Sequence, residues 1–166
     1  APSTSAASKR EVSIPIIPPI MVDNDPGHWS DIWKGGTIIG YYKGKEVARK
    51  TYSCDAHLDD LVVEIDDHEL YNTVVDSTRV TARFVDQEGN LLPYYNGVLT
   101  IETSNNLEIV GPATVAVVGG RIGFWVKTKP GCGEGTGTIT VRALNTQIPA
   151  KTLTVALHED PTIRCL

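Results

Sequence analysis

Cysteine is scarce in this chain of 166 residues: Cys54, Cys132 and Cys165 make an odd count, with no C-x-x-C pair among them. That excludes a closed disulfide framework and the thiolate spacing of a zinc knuckle. Free thiols are the expectation, with a Cys54–Cys132 bridge the pairing left open. Long apolar runs are missing too. No stretch approaches the roughly 20 residues that a membrane-crossing helix needs. No segment sustains an apolar period of 3.6, so amphipathic helices are not the building unit. Basic charge is short: 15 Lys and Arg against 20 Asp and Glu leave a net charge of -5. Nucleic acids and anionic membrane surfaces both require clustered cations, so neither is an expected partner.

Chemical signatures are equally thin. There is no phosphate-loop pattern and no G-x-S-x-G elbow. The glycine-dense run Gly131–Gly137 leads into a strand-like segment, whereas a dinucleotide loop must open a helix. It is read as structural. His28, His57, His68 and His158 form neither H-x-x-x-H nor H-x-H, and none is expected to hold a metal. Asp59, Asp60, Glu64, Asp66, Asp67 and Glu69 crowd together, but without the spacing that wraps oxygens around one calcium ion. They read as a solvated face, as do Asp23 and Asp25. No catalytic residue, metal ligand or cofactor is assigned.

What is present is a series of short segments rich in Val, Ile and Thr, broken by turns about ten residues apart. Thr37–Tyr42 and Lys45–Tyr52 flank Lys43-Gly44, a two-residue hairpin connection. Leu61–Ile65 is a short strand. Arg79–Val85 alternates strictly, with Val80, Ala82 and Phe84 on one face. Val98–Thr103 follows a turn. Ala113–Val118 and Arg121–Thr128 flank Gly119-Gly120, a second hairpin signal. Thr138–Ala143 and Lys151–Leu157 complete the set. This pattern predicts an all-β, immunoglobulin-like antiparallel β-sandwich over residues 37–157. Residues 1–36 differ. Their Ile14-Pro15-Ile16-Ile17-Pro18-Pro19-Ile20 run suits neither a helix interior nor a central strand. They are expected to be an irregular Pro-rich N-terminal segment or an inter-domain junction, and residues 158–166 a tail.

Aromatic side chains are the remaining candidates for contact. Trp29, Trp33, Trp125, Tyr94 and Tyr95 could stack on sugar rings or on a neighbouring domain. Alternation aims Trp125 away from Phe124, alongside Arg121, Gly123 and Lys127, and an outward Trp marks an interface. Packing under the N-terminal segment or against another domain is weighed above sugar binding.

One ordered set of motifs runs through the chain. Gly44–Thr51 is followed by Thr78–Asp86 and a Gly89-Asn90-Leu91-Leu92-Pro93 turn. Then come Tyr95–Val98, Ile109–Pro112, Gly119-Gly120 and Gly137–Arg142. This order resembles the immunoglobulin-like domain that lies C-terminal to the catalytic barrel in bacterial glycoside hydrolases of family 2, the β-galactosidase group. The resemblance implies a non-catalytic accessory domain, structural or domain-packing in role, within a hydrolase of carbohydrate metabolism. Its partners would be the parent's other domains. In that family the catalytic glutamates sit on a barrel, one of them in an Asn-Glu pair. This chain has no such dipeptide and is too short for a barrel of about 250 residues. The alternatives are a carbohydrate-binding module and an adhesin-type repeat.

Overall fold

The computed structural model describes residues 35–159. The Ile-Pro run, Trp29, Trp33, Cys165 and most of the expected tail lie outside the described residues. The chain divides into two units at Ala56–His57.

The described part of the first unit is a hairpin of β1 (Gly36–Tyr42) and β2 (Lys45–Tyr52). Lys43 and Gly44 turn it with φ of 49° and 78°, the two positive values that a tight primed turn requires. A bulge at Gly40/Tyr41 shifts the register. Beside it, Arg49 donates to both carboxylate oxygens of Glu46, at 2.8 and 2.9 Å. Among the described residues these two strands pair only with each other.

Among the described residues the second unit holds nine strands: β3 (Asp60–Ile65), β4 (Glu69–Tyr71), β5 (Ser77–Val85), β6 (Gly97–Thr103), β7 (Leu107–Val110), β8 (Thr114–Val117), β9 (Arg121–Thr128), β10 (Gly135–Ala143) and β11 (Lys151–His158). They form a four-stranded sheet, β3-β5-β9-β7, and a five-stranded sheet, β4-β11-β10-β6-β8. With β3, β5, β6, β7, β9, β10 and β11 as strands A to G, this is the A-B-E-D and C-F-G division of the immunoglobulin fold. The first strand is split. β3 pairs with β5; the chain then crosses at Asp66–His68, and β4 pairs in parallel with β11.

Side-chain alternation builds the core. Thr78, Val80, Ala82 and Phe84 of β5 are buried, and so are Phe124 and Val126 of β9. Val80, Ala82, Phe84, Phe124 and Val126 meet Leu99, Ile101, Ile139, Val141, Val155 and Leu157 from the other sheet in one apolar cluster. Removing a Val- or Leu-sized side chain from water contributes about 1.5–3 kcal/mol each, which makes this cluster the principal reason the two sheets stay together.

Two expectations about local structure change. β4 and β7 were not expected, because three and four residues are too few for a visible alternation. Gly119-Gly120 turns the chain as predicted, both with positive φ, but the hairpin stops after one bridge, Val118↔Arg121. β8 then pairs with β6 and β9 with β5, in different sheets. Val117 and Phe124 are both buried, so each strand turns an apolar face into the same core from opposite sides.

The loops are also built. Asp86 is buried, and its carboxylate accepts from the Glu88 N–H, the Asn90 N–H and the Asn90 Nδ2 at 2.7–3.1 Å. Fully buried Asn72 donates from Nδ2 to the Gly133 carbonyl, and its backbone carbonyl accepts from the Gly131 N–H. The glycine-dense loop is thus pinned to the end of β4. Cys132 within it is an exposed free thiol, as is Cys54, so no bridge joins them.

Two substitutions test these arrangements. Asp86→Ala strands three donors and should cost about 2 kcal/mol or more in a denaturant titration. Asp60 accepts from the Lys151 ammonium at 2.8 Å, and this bond holds its carboxyl below the ordinary value of 3.8. A lowered folded value means that the stabilisation is complete above the ordinary value and is lost as pH falls through the folded one. The stability difference between wild type and Asp60→Asn should therefore be largest at neutral pH and should close below pH 3.8 in acid titrations.

Candidate functional site

The outward face of the four-stranded sheet carries two half-exposed apolar side chains that lie side by side, Trp125 and Val110. Along β9, Arg121, Gly123, Trp125 and Lys127 point away from the core, as the alternation requires. Cross-strand register sets Trp125 between Arg79 of β5 and Val110 of β7. Trp125 is 50% exposed and Val110 52%. Gly123 lies opposite Thr81, so the surface next to the indole is low.

Charges surround this patch, and most are matched. Arg79 Nε reaches Asp66 at 2.9 Å, Arg83 reaches Glu64 at 3.1 Å, and Lys127 reaches Glu108 at 3.3 Å. These pairs are largely exposed and each is worth about 0–1 kcal/mol. Arg121 has no ionic partner among the described residues. The acidic stretch of the sequence is distributed over separate cations, with Asp60 on Lys151, Glu64 on Arg83 and Asp66 on Arg79. Among the described residues no three His, Cys, Asp or Glu side chains gather as a metal site would require.

The other aromatics lie elsewhere. Tyr94 is 94% exposed in the loop between β5 and β6. Tyr95 is half-buried, its ring tilted 55° against Phe84 with centroids 4.5 Å apart. Both belong to the loop end of the sandwich, where the Gly120 N–H donates to the Tyr95 carbonyl. Trp125 is five residues further along β9, about 16 Å at 3.3 Å per residue. The structure therefore does not bring Trp125 and the tyrosines onto one platform. Trp29 and Trp33 lie outside the described residues. Val110 was missed by the sequence reading because β7 was missed. Its signal is the run Leu107-Glu108-Ile109-Val110, which alternates for only four residues.

At the same loop end, a cleft of 360 Å³ opens beside Tyr95. Its walls are Leu58 and Asp59, from the segment before β3, and the β10–β11 loop from Asn145 to Pro149. No feature of the sequence alone singled out Asp59, Asn145 and Gln147 together, because some 86 residues of chain separate Asp59 from Asn145.

Comparison with known proteins gives the relationship. No protein-family model matches the chain. A β-galactosidase of Rhizobium radiobacter is 32% identical over 124 residues, which cover 75% of this chain and 90% of that protein. A β-galactosidase of Thermoanaerobacterium thermosulfurigenes is 38% identical over 109 residues, 62% of this chain but 15% of that protein. The chain thus spans a small part of the longer relative. Among solved structures, a β-glycosidase from Bacteroides vulgatus superposes with a TM-score of 0.60 at 19% identity, covering 75% of this chain and 18% of that one. A glycosyl hydrolase family 2 member from Bacteroides cellulosilyticus gives 0.59 at 16% identity, covering 74% and 17%. At such identities the structures establish the shared fold. The Rhizobium radiobacter relative, aligned over nearly its whole length, establishes the kinship: the chain belongs to the β-galactosidase group of glycoside hydrolase family 2 and matches an immunoglobulin-like domain of its members.

Proposed function

We propose that this chain is a non-catalytic accessory module of a β-galactosidase-type hydrolase, and that it packs on another domain of the parent through the Trp125 face. The observation that carries the reading is the Trp125–Val110 pair, two half-exposed apolar side chains that face each other across β9 and the edge strand β7, beside the paired cations Arg79, Arg83 and Lys127. Trp and Arg are the side chains that anchor interfaces, and matched charges at a rim keep water out at little cost. In support, the segment corresponds to 15% of the Thermoanaerobacterium thermosulfurigenes protein, which leaves other chain in that relative for such a module to pack on. Sugar stacking on this face is less well supported. Among the described residues Trp125 is its one aromatic ring, and a binding platform for a polysaccharide uses several.

Two measurements test the reading. The isolated chain should not hydrolyse a nitrophenyl β-galactoside, and turnover abolished by one carboxylate substitution would refute the module. Trp125→Ala should leave the isolated chain's stability within about 1 kcal/mol, because the indole is half in solvent already. In the full parent polypeptide the same change should weaken domain association by about 2 kcal/mol or more, read as a separate low-temperature transition in calorimetry. Equal behaviour of wild type and variant in the parent would discard the docking face.

A further inference from the structure

We infer that the loop-end cleft beside Tyr95 is a binding site for a neutral pyranose ring. The site stands apart from the Trp125 face and does not depend on the packing role.

The first argument is amphipathic geometry. Leu58 and Ile148 supply an apolar floor, and both pack against the main core. The Tyr95 ring forms a wall. Phe84 fixes it from behind, and Gly97 passes so close that a Cβ there would fall 2.9 Å from Tyr95 Cε1. A ring held on two sides is an ordered stacking surface. The C–H face of a pyranose fits such a surface, since it is apolar while the ring's rim is polar.

The second argument is unused hydrogen-bonding capacity. The carboxylate of Asp59, the amides of Asn145 and Gln147 and the hydroxyl of Tyr95 all border the cleft. None of the four bonds another protein group among the described residues. Together they offer donors and acceptors at several directions, as a sugar's hydroxyls demand. A site of this kind, apolar with a few convergent polar groups, is the usual form of a small-molecule pocket, and 360 Å³ is near the lower end of the range of about 300–1,000 Å³. That suits one ring, with Tyr94 at the adjoining exposed turn.

The third argument is that the loop is set in place before any ligand arrives. The Leu144 N–H donates to the Val98 carbonyl at 2.9 Å, Thr146 Oγ1 donates to the Ala143 carbonyl, and the Ile148 N–H donates to Thr146 Oγ1. Asn145 takes a φ of 58°, a left-handed conformation that Asn tolerates better than most side chains. Residues held in such conformations gather at binding sites.

Charge selects the class of ligand. Asp59 is the one charged residue lining the cleft, and the nearest lysine along the chain, Lys151, is engaged by Asp60. An anionic sugar would meet an unpaired carboxylate. A single carboxylate is also a poor cage for a divalent cation. A neutral polyol is the remaining fit.

The test is a nitrogen–proton NMR titration of the full 166-residue chain with methyl β-galactopyranoside, methyl β-glucopyranoside and glucuronate. Millimolar neutral glycoside should shift the amides of Leu58, Asp59, Tyr95 and residues 145–149, and glucuronate should bind more weakly. Gln147→Ala and Asp59→Asn lie at the surface and should each weaken binding about tenfold while the rest of the spectrum stays folded. Tyr95→Phe retains the stacking ring and should cost less than either. Absence of shifts with both neutral glycosides overturns the site, and so do shifts confined to Trp125 and its neighbours or a preference for glucuronate. These readings come from the isolated chain, whereas the packing role is read from the parent polypeptide, so either can fail alone.

Discussion

The sandwich hinges on a close approach of backbone to backbone at Gly120. A Cβ at that position would lie 2.1 Å from the Leu92 carbonyl oxygen, and the residue sits at a φ of 74°. Only glycine meets both conditions. Around it the Phe84 N–H donates to the Gly120 carbonyl, the Gly120 N–H to the Tyr95 carbonyl, and the Leu92 N–H to the Phe84 carbonyl. This knot joins the end of β5, the loop after it and the start of β9. It fixes where Phe84 enters the core and where Tyr95 emerges at its edge. The cleft and the Trp125 row are both placed relative to it, because each lies on a segment that leaves this corner.

The two outward faces of the sandwich then diverge in character. The four-stranded sheet shows Arg79, Arg83 and Lys127 with their acidic partners, and Arg121 without one among the described residues, around one indole. The five-stranded sheet shows threonine: Thr100, Thr114, Thr136, Thr138, Thr140, Thr152 and Thr154 all occupy outward positions. Thr140 and Thr152 meet directly, their hydroxyls 3.0 Å apart. β-branched residues suit a pleated surface, and cross-strand Thr pairs add a little stability where charges would need hydration. The inward faces are alike, both apolar, because they share one core.

Much of this was legible from residue order. Val80, Ala82 and Phe84 point inward as alternation demands, and Trp125 points outward for the same reason. The all-β class and the immunoglobulin-like arrangement follow from short β-branched runs with regular turns. Three features escaped, each for a physical reason. β4 and β7 are too short to show a period. Gly119-Gly120 carries the turn chemistry of a hairpin, and only the burial of Val117 and Phe124 from opposite sides decides that the strands part. The cleft joins Asp59 to Asn145 and Gln147 through tertiary folding alone, and no local pattern encodes that meeting. The Cys54–Cys132 option closed because both thiols are exposed and free.

The course of the first and last strands has a mechanical consequence. β3 begins level with the start of β11, where Asp60 meets Lys151, and β11 runs eight residues to the opposite end, beside Tyr71. Chain therefore enters this unit at one pole and leaves it at the other, about 26 Å apart at 3.3 Å per residue. Tension along the polypeptide would act along the strands and load the parallel β4–β11 ladder in shear, so its hydrogen bonds would have to yield together. A unit threaded in this way resists extension as a whole rather than strand by strand.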